Sequence, residues 1–128
     1  MSNLFIGLGA LSAFISVAAG AFGAHALKQV LDTDMLAVYH TAVDYQFFHS
    51  IGIIAIGILH KVSPRQSHTF SAWAMLVGII LFSGSLYILS TTGIKWLGMI
   101  TPVGGICFLA AWLTLALSYL AGVETRED

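Results

Sequence analysis

Long stretches without a charged side chain decide what this chain can fold into. Residues 1–24, 69–94 and 96–123 contain no Asp, Glu, Lys or Arg, and a shorter apolar stretch at 45–59 extends further towards the N-terminus. A helix needs about 20 residues to cross the roughly 30 Å hydrocarbon core of a bilayer. Only 9% of the residues are charged, against about 25% in soluble domains. The sequence therefore predicts an all-α integral membrane protein with four spans in a single domain, residues 1–128.

Polar and helix-breaking residues mark the ends of the predicted helices. Helices are expected at about residues 4–26, 34–60, 69–91 and 102–121. Asp32, Thr33 or Asp34 can cap the second helix. Thr101 is expected as the N-cap of the fourth helix, with Pro102 at its first position. Because the connections are short, the helices should form an antiparallel up-down four-helix bundle with both chain ends on one side of the membrane.

Small residues mark the faces on which the predicted helices should pack. In lipid, the close approach of two backbones over small residues favours helix association, because apolar burial brings no net gain there. Gly20 and Gly23 belong to a stripe of small residues along the first helix, at steps of three and four. Gly84 in the third helix and Gly104 and Gly105 in the fourth are expected at further close contacts.

Polar side chains within the spans are the candidate functional residues, because such groups are costly in hydrocarbon and normally turn inward. His49, which lies deep in the second helix, either forms a hydrogen bond with a neighbouring helix or serves as a ligand or proton-relay group. The candidate intramembrane polar site consists of His25, Tyr45, Gln46, His49, Ser83 and Tyr87. His40 and Asp44 are secondary candidates near the headgroup level, on the same membrane side as His25.

Two interpretations of these polar residues stay open. Ser83 and Tyr87 either form hydrogen bonds between helices or line a polar pocket with His49. Asp44 is either a carboxylate at headgroup level, wet or paired with His40, or a group that carries a proton or a cation. No nucleophile, metal-ligand or cofactor motif accompanies these residues, so no catalytic residue, no metal and no cofactor is predicted. The formal net charge of -1 gives no basic surface for nucleic acid.

Four motifs in this sequence resemble those of one family of membrane proteins. They are Gly20-Ala21-Phe22-Gly23-Ala24-His25, Tyr45-Gln46 with His49, Phe82-Ser83-Gly84-Ser85-Leu86-Tyr87 and Thr101-Pro102-Val103-Gly104-Gly105. In this order they are similar to the domain of unknown function 423 family, which includes YgdD- and YwdK-like bacterial proteins and the mitochondrial transmembrane protein 256. The resemblance implies a four-span protein of the bacterial inner membrane and supplies no activity. It leaves His40 and Asp44 outside the family motifs.

Two functions from different classes are compatible with these features. The first is a non-enzymatic accessory or interaction protein, surrounded by the bilayer and bound to a second copy or to a membrane-protein partner. It predicts that His49 is satisfied inside the bundle, with no cavity beside it. The second is a binding or translocation protein with a polar pocket for a lipid headgroup, a quinone, a proton or a small solute. It predicts a cavity, open to one side, on which the candidate polar residues converge.

The loop cations indicate on which side of the membrane the termini lie. The side with both termini carries Lys61, Arg65 and Arg126, and the other side carries Lys28 and Lys95. This small excess favours a cytoplasmic location for both termini.

Overall fold

The structure, a computed structural model, describes residues 1–122. Its α-helices are α1 (Ser2–His25), α2 (Thr33–Val62), α3 (Gln66–Gly78), α4 (Gly84–Thr92) and α5 (Thr101–Leu120). A π-helical turn, Ile79–Ser83, joins α3 to α4. Short 3-10 helices follow α1 at Leu27–Gln29 and precede α5 at Lys95–Met99. No strand occurs in the part of the chain that the structure describes.

Within residues 1–122, four segments are long and apolar enough to cross a membrane. They are Ser2–Gln29, Thr33–Val62, Gln66–Thr92 and Lys95–Leu120. The third span, Gln66–Thr92, combines α3, the π-helical turn and α4. These segments confirm the predicted all-α fold with four membrane spans. The helix ends differ from the expected ones by a few residues, since α1 begins at Ser2, α2 continues to Val62 and α3 begins at Gln66.

The second helix, α2, is the most buried of the spans. It packs along α1, and it also contacts every part of the third span. The last helix, α5, packs mainly against the third span and is the least buried, so most of its surface is left to lipid. Each span therefore has the span before it in the sequence as a neighbour, which is the order of an up-down bundle.

Side-chain contacts at the starts of α2 and α5 decide which residues cap these helices. The Asp32 carboxylate accepts a hydrogen bond from the Met35 backbone N–H at 2.8 Å, so Asp32 is the cap among the three alternatives. The prediction of Thr101 as the N-cap of α5 is wrong, because Ile100 occupies that position and no side chain caps the helix. The Thr101 hydroxyl lies instead 2.6 Å from the Ser85 hydroxyl and links α5 to α4.

Two glycines of α1 lie at the contact with α2. A Cβ atom on Gly23 would lie 2.9 Å from Cδ1 of Tyr39, and one on Gly20 would lie 3.2 Å from Cγ1 of Val43. The Tyr39 hydroxyl donates a hydrogen bond to the Ala19 carbonyl at 2.6 Å. The missing side chain at Gly23 therefore leaves room for the aromatic ring that bonds α2 to α1.

The glycines of the last two spans differ in how closely other atoms approach them. A Cβ atom on Gly104 would lie 2.7 Å from Cβ of Phe82, and nearer still to the Phe82 backbone. The contact between α5 and the π-helical turn therefore requires a glycine at this position. A Cβ atom on Gly105 would lie 3.9 Å from the Phe82 ring, and one on Gly84 would lie 4.0 Å from the Ile79 carbonyl. The described residues thus make no close contact at Gly84 or Gly105, contrary to expectation.

Apolar side chains from α1, α2, the third span and α5 form the core of the bundle. They are Phe5, Ile53, Ile56, Ala72, Met75, Ile79, Phe108 and Ala111. Along α2, the core residues Ile53 and Ile56 lie between His49 and His60. The core therefore separates two polar regions, one around His49 and one around His60.

Candidate functional site

Gln46 joins three helices through its side-chain amide. Its Nε2 donates a hydrogen bond to the Ser12 carbonyl of α1 at 3.1 Å, and its Oε1 accepts one from the Tyr87 hydroxyl of α4 at 2.7 Å. The Ser50 hydroxyl, one turn further along α2, donates to Oγ of Ser12 at 2.7 Å. Gln46 and Ser50 are buried, and these bonds satisfy polar atoms that hydrocarbon could not. The network therefore holds α1, α2 and α4 together.

Serine hydroxyls elsewhere in the spans bond to the backbone of α2. Ser83 donates a hydrogen bond to the Ala42 carbonyl at 2.8 Å, and Ser16 donates one to the Val43 carbonyl at 2.9 Å. Both serines are fully buried. Ser83 and Tyr87 thus form hydrogen bonds between helices.

His49 lies in an aromatic stack between α2 and α5. Its ring is nearly parallel to the ring of Phe108, with centroids 3.5 Å apart and 10° between the planes. Its Nδ1–H donates a hydrogen bond to the Tyr45 carbonyl at 2.7 Å, which assigns the tautomer of the neutral ring. The other nitrogen, Nε2, has no hydrogen-bond partner within residues 1–122. His49 therefore offers a hydrogen-bond acceptor inside the membrane.

A groove of about 420 Å³ adjoins His49. Its lining is largely aromatic and aliphatic and consists of Tyr45, His49, Phe82, Pro102, Gly105, Ile106, Phe108, Leu109 and Trp112. Tyr45 stacks on Phe82, with centroids 4.4 Å apart, so the two rings hold each other in place. Ile106 and Leu109 are exposed on the outer face of α5. The groove is therefore open to the surrounding hydrocarbon.

The other titratable candidates lie apart from this groove. His25, His40 and Asp44 all have exposed side chains. No hydrogen bond or ion pair joins any two of them in the described part of the chain. The His40 ring packs edge-on against the Tyr39 ring, with centroids 6.2 Å apart. The three residues share one end of the bundle and form no cluster.

The six residues expected in one intramembrane polar site do not converge on one cavity. Only Tyr45 and His49 line the groove. Gln46, Ser83 and Tyr87 are engaged in bonds between helices instead. The expected polar pocket is therefore replaced by an apolar groove with one imidazole. The opposite expectation, that no cavity lies beside His49, is wrong as well, because the groove adjoins its ring.

Two aromatic residues of the groove, Phe108 and Trp112, are not among the candidates that the sequence indicates. Phe108 and Trp112 lie one turn apart on α5 and face Tyr45 and His49, which lie one turn apart on α2. The matching spacing of four residues in both helices is the sequence signal for this pairing. Trp112, to which the sequence assigns no role, lines the groove.

The fold and the site together define a class of protein. Four apolar spans, with buried polar groups bonded between helices, make this a small α-helical integral membrane protein with the lipid bilayer as its solvent. Among the described residues, no group of three or more His, Cys, Asp or Glu side chains could hold a metal ion. An apolar groove beside His49 lies between α2 and α5 of this bundle.

This chain belongs to the family described as "Protein of unknown function (DUF423)", whose family model matches residues 19–105. The resemblance that the four sequence motifs carry is thereby confirmed. No solved structure gives a significant match to the chain.

Curated relatives of the chain are described as membrane proteins and match it almost from end to end. UPF0382 membrane protein YwdK of Bacillus subtilis (strain 168) is 45% identical over 117 residues, which are 91% of this chain and 95% of the relative. UPF0382 membrane protein SH2409 of Staphylococcus haemolyticus (strain JCSC1435) is 45% identical over 116 residues, 91% of this chain and 94% of the relative. A UPF0382 membrane protein of Haemophilus influenzae is 40% identical over 116 residues, 91% of this chain and 93% of the relative.

Proposed function

We propose that this chain is a non-enzymatic accessory or interaction protein of the bacterial inner membrane, which binds a membrane partner at the groove beside His49. The interior polar groups support this role. Gln46, Ser83 and Tyr87 are hydrogen-bonded between helices, so none of the three is free to act as a nucleophile or a base. A binding role needs an open surface, and the groove provides one between α2 and α5.

The observation that carries this proposal is a hydrogen-bond acceptor without a partner on a largely apolar groove. His49 is only 7% exposed, and its Nε2 is unpaired among residues 1–122. Hydrocarbon supplies no donor to such an atom, so a donor on a bound molecule would remove an energetic cost. A hydroxyl-bearing transmembrane helix, from a partner or from a second copy of this chain, has both the donor and the apolar surface.

Photocrosslinking in the native membrane tests this proposal. A photoreactive residue replaces Leu109, which lines the groove and is 72% exposed. In the control variant it replaces Leu113, which lies one turn further along α5 and outside the groove and is 60% exposed. A protein adduct of defined mass is expected at Leu109 and not at Leu113. Equal protein adducts at both positions, or none at Leu109, would contradict the proposal.

A second candidate function is the binding of a lipid-soluble hydroxyl compound, such as a quinol, in the same groove. Its volume of about 420 Å³ lies within the range of about 300–1,000 Å³ that is usual for small-molecule sites. Aromatic rings from α2, the third span and α5 supply a stacking surface. In this case the Leu109 adduct has the mass of a small molecule instead of a protein. His49→Phe, which keeps the stack on Phe108 and removes the acceptor, should reduce either adduct.

The proposed orientation places both termini in the cytoplasm. Lys61 and Arg65 lie around the turn between α2 and α3, on the side of the N-terminus, and Lys28 and Lys95 lie at the opposite ends of the spans. Arg126, the third cation on the side of the termini, lies outside the described residues. Reporter fusions to the C-terminus measure this orientation directly, and a periplasmic C-terminus would reverse it.

A further inference from the structure

A second polar region lies where α2 ends and α3 begins, about three helical turns along α2 from His49. His68 is fully buried, and its Nε2 lies 3.0 Å from the Tyr119 hydroxyl in the last turn of α5. The His60 ring lies 5.9 Å from the His68 ring. Three parts of the bundle therefore meet at this point through polar side chains.

Arg65 is held in a defined position at this end of the bundle. Its guanidinium carbon lies 4.8 Å from the centroid of the Tyr119 ring, which is a cation–π contact. Its Nη1 donates a hydrogen bond to the Ser118 carbonyl at 2.8 Å. A guanidinium has five N–H donors, so most of them are left for a ligand. Arg65 is thus an ordered cation with unused donors.

A cavity of about 240 Å³ lies beside the Arg65 side chain. Its lining consists of His60, Pro64, Arg65, Gln66 and Thr69, and none of these residues is acidic. The helix α3 begins at Gln66 without a side-chain cap, so the backbone N–H groups of its first turn add further donors. The cavity is therefore rich in donors and carries positive charge.

The His60 ring adds a donor to the same cavity. Its Nδ1 is buried without a hydrogen-bond partner among the described residues. A buried N–H group without an acceptor is rarer and more costly than a buried nitrogen lone pair without a donor. Nδ1 therefore carries the lone pair in the neutral ring, and the proton is on Nε2. Since Nδ1 is buried, Nε2 is the ring nitrogen that His60 has left for a ligand of the cavity that this residue lines.

An apolar depression of about 370 Å³ adjoins this cluster along α5. It is lined by Leu59, Trp112, Leu115, Ala116 and Tyr119. Tyr119 connects the two features, because its ring lines the depression and also carries the Arg65 guanidinium. Trp112 lies about two turns from Tyr119 towards the middle of α5, so the depression extends from the cationic end into the membrane.

We propose that the cavity binds the phosphate of a phospholipid headgroup and that an acyl chain of the same lipid lies in the depression. The third span has 27 residues, which is about 40 Å at about 1.5 Å per residue, so its ends extend beyond the roughly 30 Å hydrocarbon core into the headgroup zone. Phosphate oxygens accept charge-assisted hydrogen bonds, which the donors around Arg65 supply. The phosphate cavity shares no lining residue with the groove beside His49, whereas Trp112 lines both that groove and the depression.

Native mass spectrometry of the full chain, released from detergent micelles, tests the proposal with three probes. They are phosphatidylglycerol, a diacylglycerol with the same acyl chains and no phosphate, and inorganic phosphate. Phosphatidylglycerol should bind at least about ten-fold more tightly than the diacylglycerol, and Arg65→Gln should remove that preference. Lys95→Gln removes one positive charge at the opposite end of the bundle and should leave the preference unchanged.

Thr69→Val provides a second test variant, because it keeps the shape of the side chain and removes one cavity hydroxyl. Thr69→Val should weaken phosphatidylglycerol binding a few-fold. If Arg65→Gln failed to fold, unchanged binding in Thr69→Val would contradict the proposed site. Equal affinities for phosphatidylglycerol and diacylglycerol, or equal losses in Arg65→Gln and Lys95→Gln, would overturn the proposal. If inorganic phosphate bound and phosphatidylglycerol did not, the result would support the phosphate cavity. It would overturn the proposal that an acyl chain lies in the depression.

Discussion

Gly104→Ala should destabilise the bundle, whereas Gly105→Ala, one residue further along α5, should not. A Cβ atom at position 104 would lie 2.7 Å from Cβ of Phe82, and one at position 105 would lie 3.9 Å from the Phe82 ring. Two carbon atoms are most favourably placed at about 3.5–4.0 Å, so the first substitution requires a movement of about 1 Å and the second requires none. The atoms nearest to position 104 belong to backbone and Cβ of the π-helical turn, which cannot rotate away as the end of a side chain can.

The difference between the two variants isolates the cost of this contact. A change from glycine to alanine within a helix is worth about 0.5–1 kcal/mol, and both variants gain it. Overpacking a well-packed interior costs about 1–3 kcal/mol, and only Gly104→Ala incurs that cost. Gly105→Ala should therefore raise the free energy of unfolding by up to about 1 kcal/mol. The free energy of unfolding of Gly104→Ala should be about 1–3 kcal/mol lower than that of Gly105→Ala.

Reversible unfolding in mixed micelles, by titration with sodium dodecyl sulfate, measures both free energies. The 3 tryptophans of the chain supply the fluorescence signal. Wild type and the two variants are compared under the same detergent conditions. If the variants differed by less than about 0.5 kcal/mol, the usual scatter of neutral substitutions, the contact between α5 and the π-helical turn would not require a glycine.

Tyr87→Phe should lower the free energy of unfolding in the same titration by about 1 kcal/mol, because Oε1 of Gln46 loses its donor in a dry interior. Ser83→Ala should cost less, since the backbone carbonyl that Ser83 contacts keeps its own helical bond; a larger loss for Ser83→Ala would contradict this order. Histidine nitrogen NMR spectra in micelles should show the Nδ1–H tautomer for neutral His49 and the Nε2–H tautomer for neutral His60. The reverse pattern would contradict the hydrogen bonding described for both rings.

The membrane spans and one helix cap follow from local sequence. A helix in hydrocarbon must satisfy its own backbone and cover it with apolar side chains, so residues 1–24 indicate a span directly and α1 occupies Ser2–His25. Asp32 caps α2 because a short acidic side chain reaches the N–H of Met35, three residues further along. Both features depend only on neighbours in the sequence, so the sequence predicts the span and limits the cap of α2 to Asp32, Thr33 or Asp34.

The π-helical turn has no comparable local signal. Residues 79–83 contain neither Gly nor Pro and are compatible with an unbroken α-helix. A π-helical turn is wider than an α-helical one and changes which faces the following residues present. Phe82 and Ser83 belong to this turn, and there Phe82 packs against Gly104 while Ser83 bonds to the Ala42 carbonyl. Prediction of these contacts requires the tertiary structure.

The antiparallel order of the helices predicts which residues lie at the same depth in the membrane. It does not predict which side of each helix faces a neighbouring helix. His25 and His40 lie at the same end of the bundle, as expected, and no hydrogen bond or ring contact joins them. Gln46 and Tyr87, 41 residues apart in the sequence, form a direct hydrogen bond where α2 packs against α4. The polar residues expected in one site, because they lie at similar depths, are therefore found in separate places in the structure.

His49 and His60 show how one helix gives the same side chain two different chemistries. Their separation of about three turns places them on the same face of α2, about 16 Å apart. His49 donates from Nδ1 to the carbonyl one turn back and presents an acceptor, whereas His60 has no partner at Nδ1 and presents a donor. The acceptor lies at a groove lined mostly by apolar side chains, and the donor lies beside a cavity lined by Arg65 at the start of the third span. The two sites therefore require ligand groups of opposite hydrogen-bonding character, so binding at one is no reason to expect the same group at the other.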